Sequence, residues 1–140
     1  MTTWNRDKVA ESKNNLEGAE LKGIDLSGLD LNKANLISAI LVSANLQDIS
    51  LIGANLFSVK AMRADFSGAN LSGANFLKAN LTNANLTKSN LNDADLTGAN
   101  LFNANLEKTD LIRAKLVEAN LLGANPVSYT HLTLPTIYSV

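Results

Sequence analysis

Residues 64–83 read ADFSG ANLSG ANFLK ANLTN, four five-residue words built to one rule. Followed outward in both directions, the same register runs without insertion from Asn14 to Asn125, which is 22 words. With the central apolar position called i, it falls at Leu16, Leu21 and every fifth residue to Leu121. Nineteen of the 22 are Leu, two are Phe (Phe66 and Phe76) and one is Ala61. Position i−2 is Ala in 15 words, and i−1 is Asn in 12 and Asp in five.

A period of five fits neither the α-helix at 3.6 nor the strand at 2. On a helix the Leu row would rotate by about 140° per word and smear around the cylinder. Alternation does hold over three residues, with i−2 inward, i−1 outward and i inward, as on a short strand. Positions i+1 and i+2 then turn the chain. Gly or Asn at i+2, as at Gly18, Gly68, Asn83 and Gly123, tolerates the positive φ that several tight turns demand. Three residues of strand and a two-residue corner, repeated, make a polygonal coil.

The exceptions count the corners. Among the non-Ala residues at i−2, Leu29, Ile49, Ser89 and Thr109 are separated by multiples of 20. That favours four words per coil, since a 15-residue coil would divide them between two faces. Val59 stands two residues before Ala61, so a larger and a smaller inward side chain have changed places, the kind of exchange a close-packed interior tolerates.

Words such as Ala64-Asp65-Phe66-Ser67-Gly68 and Ala94-Asp95-Leu96-Thr97-Gly98 resemble the A(D/N)LXX consensus of the pentapeptide-repeat family. The resemblance covers residues 14–125. It implies an all-β fold, a right-handed quadrilateral β-helix with i and i−2 inside. At four words per coil, 22 words make about 5.5 coils, a rod about 26 Å long at strand spacing. Solenoid ends need caps, and residues 1–13, with Trp4, Val9 and Ala10 among charges, are expected to form a cap or tail, with a short helix over the first coil.

After Asn125 the register breaks at Pro126, and residues 126–140 contain no further word. Residues 127–136, VSYTHLTLPT, are also what one frame of a widely used sequencing-library adapter encodes. The tail is therefore expected to be translated adapter on a truncated repeat, with a native capping strand as the competing expectation.

Chemistry is scarce. The chain has no Cys and its one His, His131, lies in that tail, so the repeat offers no Ser-His or Cys-His arrangement and no thiolate or imidazole metal site. The expectation is no enzyme, no cofactor and no metal. Gly18-xxxx-Gly23 and Gly68-xxxx-Gly73 lack the following Lys-Ser/Thr of a phosphate loop and read as turn glycines. The longest apolar run is Ala39–Val42, far short of the roughly 18 residues of a membrane span, and the first 15 residues carry no apolar leader segment. Those features point to a cytoplasmic, bacterial-type repeat protein with neither a membrane nor a nucleic acid as partner, the formal net charge being −1.

The family's best-known activity, mimicry of duplex DNA by an acidic rod that protects DNA gyrase, is the alternative that the resemblance implies. It requires negative charge approaching phosphate density. Residues 14–125 carry nine Lys and Arg against eleven Asp and Glu, a net of −2 with the signs mixed. The more informative surface feature is apolar. At i+1, Ile37, Phe57, Leu77 and Val117 stack in one column of a 20-residue coil, and Val42, Met62, Phe102 and Leu122 in the next. Ile52 and Ile112 fall on a third, while Ser27, Gln47, Ser67, Thr87 and Glu107 make the fourth wholly polar. The two neighbouring apolar columns are expected to form a lateral association surface, for self-pairing or for another protein.

Overall fold

The computed structural model describes residues 3–125. The tail from Pro126 to Val140, with His131, lies outside the described residues. From Glu20 to Asn100 each i−1 residue bridges in parallel to the one 20 positions later, as in Ile40↔Lys60, Lys60↔Asn80 and Asn80↔Asn100. One coil is therefore four words, and the cross-section has four corners.

The backbone amides show why five residues suffice. Leu36 N–H donates to the Asn55 carbonyl of the next coil at 2.8 Å, and Ser38 N–H to that of Phe57 at 2.9 Å. Asn55 N–H donates to Ala34 of the preceding coil at 2.9 Å, and Ala39 N–H closes the corner on Leu36 at 3.0 Å. Four of five amides per word are thus satisfied by backbone. The fifth, at i+1, is capped by the word's own Asn or Asp: Ile37 N–H on Asn35 Oδ1 at 3.1 Å, Leu77 N–H on Asn75 Oδ1 at 2.9 Å. Buried backbone donors are normally all paired, and this side-chain cap is what makes Asn or Asp at i−1 useful. Where i−1 is Ser50 or Asp110, Asn32 and Asn92 from the preceding coil cap Ile52 and Ile112 instead, both at 2.8 Å.

Each corner is a two-residue turn with positive φ at i+2 alone, the signature of type II. Glycine supplies it at eight corners, but 14 others hold a residue with a Cβ, including Lys33 at +61°, Arg63 at +59° and Glu118 at +60°. Left-handed backbone costs an L-residue roughly 1–2 kcal/mol. The coil imposes the conformation whether or not the local sequence prefers it. The i+1 residues lie in these corners, and the flat sides between them are centred on i−1.

The interior is filled by the i row, with every member from Leu16 to Leu116 buried, and by Ala at i−2. Each buried Leu contributes roughly 1.5–3 kcal/mol before conformational entropy is subtracted. The first words deviate: Asn14 is exposed at i−2, and Ile24 and Leu29 are only half-buried. Over that end lies α1 (Arg6–Glu11), whose Asn5 cap accepts Lys8 N–H at 2.8 Å. Its one buried residue, Val9, joins the core cluster and Trp4 packs against it. Arg6 Nη1 reaches the Asp25 carbonyl at 3.4 Å, which ties α1 to the third word of the first coil. Among the described residues no helix is long and apolar enough to cross a membrane.

Candidate interaction surface

The corner hydrogen bonds set the two apolar columns in register. Ser38 N–H reaches Phe57 O and Ser58 N–H reaches Leu77 O, so Ile37, Phe57 and Leu77 follow one another coil by coil. At the next corner Ser43 N–H reaches Met62 O, which places Val42 beside Met62. Thr82 and Thr97 interrupt the columns. They separate Phe102 and Leu122 from Met62, and Val117 from Leu77, so the eight candidates form one group of five and outliers nearer the far end. Exposure divides them almost the same way, with Val117 siding with the group of five. Ile37, Val42, Phe57, Met62, Leu77 and Val117 are half-buried, whereas Phe102 is 36% and Leu122 67% exposed. Ile52, on the third column, is 39% exposed.

Between the two columns runs a flat side whose outward residues are Glu20, Ile40, Lys60 and Asn80, stacked by their parallel bridges. Ile40 is half-buried there and Lys60 exposed. Inspection of i+1 alone misses both. The signal for them was available, because Ile40 and Lys60 depart from Asn/Asp at i−1.

The polar corner is organised differently. Asp65 accepts Gln47 Nε2 at 2.6 Å and Ser67 N–H at 2.9 Å. Burial pushes its carboxyl pKa up, but the Gln47 and Ser67 hydrogen bonds outweigh that and hold it below the ordinary value. The Ser27 hydroxyl and amide lower Asp25, and Arg113, bidentate on Asp93 at 2.7 and 3.0 Å, lowers Asp93. A shallow open groove of about 310 Å³ runs between Asp48 and Lys88 over Gly68. Among the described residues no group of His, Cys, Asp and Glu is arranged to hold a metal ion. Asp25 and Asp65 lie two coils apart with Asn45 between them, too far for acid and base to act on one bond.

The family model for pentapeptide repeats matches residues 19–56, 64–101 and 94–125, in eight copies. The chain belongs to the pentapeptide-repeat family. Among solved structures it is similar to a pentapeptide repeat protein of the Arabidopsis thaliana thylakoid lumen, at 34% identity over 76% of this chain and 70% of that one, with a TM-score of 0.59. Rfr23 of the cyanobacterium Cyanothece 51142 is 26% identical over 79% and 85% of the two chains, with a TM-score of 0.65. HetL of Nostoc sp. strain PCC 7120, a pentapeptide repeat protein involved in heterocyst differentiation regulation, is 34% identical over 78% of this chain and 56% of that one, with a TM-score of 0.50. No curated protein matches the chain.

Proposed function

We propose that the chain is a non-catalytic interaction module, a right-handed four-cornered rod of about 5.5 coils that binds a protein partner or a second copy along one side. The observation that carries this reading is the apolar side itself. Ile37, Ile40, Val42, Phe57, Met62 and Leu77 occupy three consecutive coils, on a scaffold whose hydrogen bonds leave the backbone little freedom to rearrange. Contiguous apolar surface on a rigid support is how protein partners are commonly recognised. Family membership supports the repeat module, and the similar structure from the thylakoid lumen shows that the fold itself fixes no compartment.

A photo-crosslinking residue at Phe57, compared with one at Thr87 on the polar corner, tests the reading in cells. Adducts are expected from Phe57 and not from Thr87. The Phe57→Ser/Leu77→Ser variant should keep its fold by circular dichroism while its association weakens about tenfold, as the loss of two buried apolar contacts implies. Equal adducts from both positions, or unchanged association of the variant, would remove the reading. DNA mimicry toward gyrase remains the second reading; a supercoiling-protection assay separates the two, and the mixed charge of the rod favours the first.

A further inference from the structure

The side between the apolar columns is also where the repeat abandons its own hydrogen-bonding rule. In fifteen corners the i+1 amide is capped by the Asn or Asp two residues earlier. At Val42 and Met62 the capping position holds Ile40 and Lys60, which have no acceptor. Among the described residues nothing bonds either amide. Lys22, in the same column and two residues after Glu20, is uncapped as well, so among the described residues three consecutive coils carry uncapped donors on this side.

The charges of that side agree with the donors. Residues 35–43, 55–63 and 75–83 span the two apolar corners and the side between them through three coils. They contain Lys60, Arg63 and Lys78, all exposed, and no Asp or Glu. Of the nearby acids, Asp48 and Asp65 belong to the polar corner and the side leading to it, whereas Glu17 and Glu20 lie on this side in the preceding coil. In a chain of net charge −1 these three coils of the side, which follow the one with Glu17 and Glu20, are thus both cationic and apolar.

We infer that this side binds an acidic protein segment that also carries apolar residues. Resting on the interaction role proposed above, the inference names the partner's chemistry. The segment's carboxylates pair with Lys60, Arg63 and Lys78 and accept from the Val42 and Met62 amides, charge-assisted bonds stronger than neutral ones. Its apolar residues cover Ile37, Phe57 and Leu77. A second copy docked through the same side would set these cations against themselves, and like charges across an interface are costly. A bilayer fits poorly, because interfacial anchors sink apolar side chains about 5–10 Å into lipid and these are half-buried in their own surface. Duplex DNA would find three cations on an apolar floor, too few phosphate contacts for firm binding.

The test uses the full chain and four probes: a short fluorescent peptide with Leu and Glu at helical spacing, the same peptide with Gln for Glu, duplex DNA, and phosphatidylcholine/phosphatidylserine vesicles. The Glu peptide is expected to bind at least about tenfold tighter than the Gln peptide, and less tightly as salt is raised. Ile40→Asn/Lys60→Asn restores both caps, so its melting temperature should rise while Glu-peptide affinity falls about tenfold. Equal binding of the two peptides, retained affinity in that variant, or tighter binding of DNA or vesicles overturns the inference. So does self-association that Lys60→Glu/Arg63→Glu/Lys78→Glu strengthens. If neither peptide binds and the Phe57 crosslinks are also absent, the interaction reading beneath has failed; if both bind equally, only the acidic partner has.

Discussion

Phe66 and Phe76 meet edge to face inside one coil, ring centroids 6.1 Å apart and planes at 83°. They are the second and fourth inward residues of a coil whose first is Ala61 and third Leu71. All four are fully buried. Two rings need more room than two leucines, and the one Ala of the i row stands in the same layer to supply it. Val59, also fully buried, fills what is left.

Ala61→Leu should therefore overpack that layer and cost about 1–3 kcal/mol in urea denaturation. In a Phe66→Leu background the same substitution should cost clearly less, since the two changes share one space. Strict additivity would show that Ala61 and the ring pair are independent.

The period of five made the four-cornered coil readable, because the 20-residue spacing of Leu29, Ile49, Ser89 and Thr109 is the spacing of the Ile40↔Lys60 bridge. Other features were hidden for physical reasons. Lys88 at φ +60° and Glu118 at +60° have no local preference for that conformation; it is forced by inter-coil hydrogen bonds that no window of sequence displays. Asn at i−1 is visibly frequent, yet its role appears only when the amides are counted and i+1 is found without a backbone acceptor. Ile40 and Lys60 were overlooked for the same reason, as exceptions to a rule whose purpose was not yet visible.

Asn80 tests that rule at a position where charge can be varied. Its Oδ1 accepts Thr82 N–H at 3.1 Å and Thr82 Oγ1 at 2.6 Å. Asn80→Ala removes both and should cost about 1–2 kcal/mol, the range of a lost helix cap. Asn80→Asp keeps the acceptor and sets a carboxylate next to Lys60 across the Lys60↔Asn80 bridge. It should be neutral or mildly stabilising, and an equal loss in both variants would show that the oxygen is not the important atom.

Asp65 gives the rod an acid-sensitive contact. Its folded pKa lies below the ordinary 3.8 because the Gln47 and Ser67 bonds outweigh burial. A depressed carboxylate pKa contributes stability above the unfolded value and loses it as pH falls through the folded one. Wild type should exceed Asp65→Asn in stability at neutral pH, with the gap closing below about pH 4. A gap independent of pH would assign the effect to shape rather than charge.

Ser89 is the weak point of the interior. It is 2% exposed, and among the described residues its Oγ has no hydrogen-bond partner. The neighbouring carbonyl of Leu86 is already taken, by Ser89 N–H at 3.0 Å and by Thr109 Oγ1 at 2.7 Å. A buried hydroxyl without a partner costs about 1–3 kcal/mol, and Ala already stands at i−2 in most words. Ser89→Ala should raise the melting temperature, whereas Thr109→Ala, which loses a satisfied bond as well as a methyl, should lower it. The contrast separates desolvation from packing, because both variants shrink the same column of the core. If both destabilise, the Ser89 hydroxyl is bonded in solution, to a buried water, and the interior there is wetter than the protein atoms alone imply.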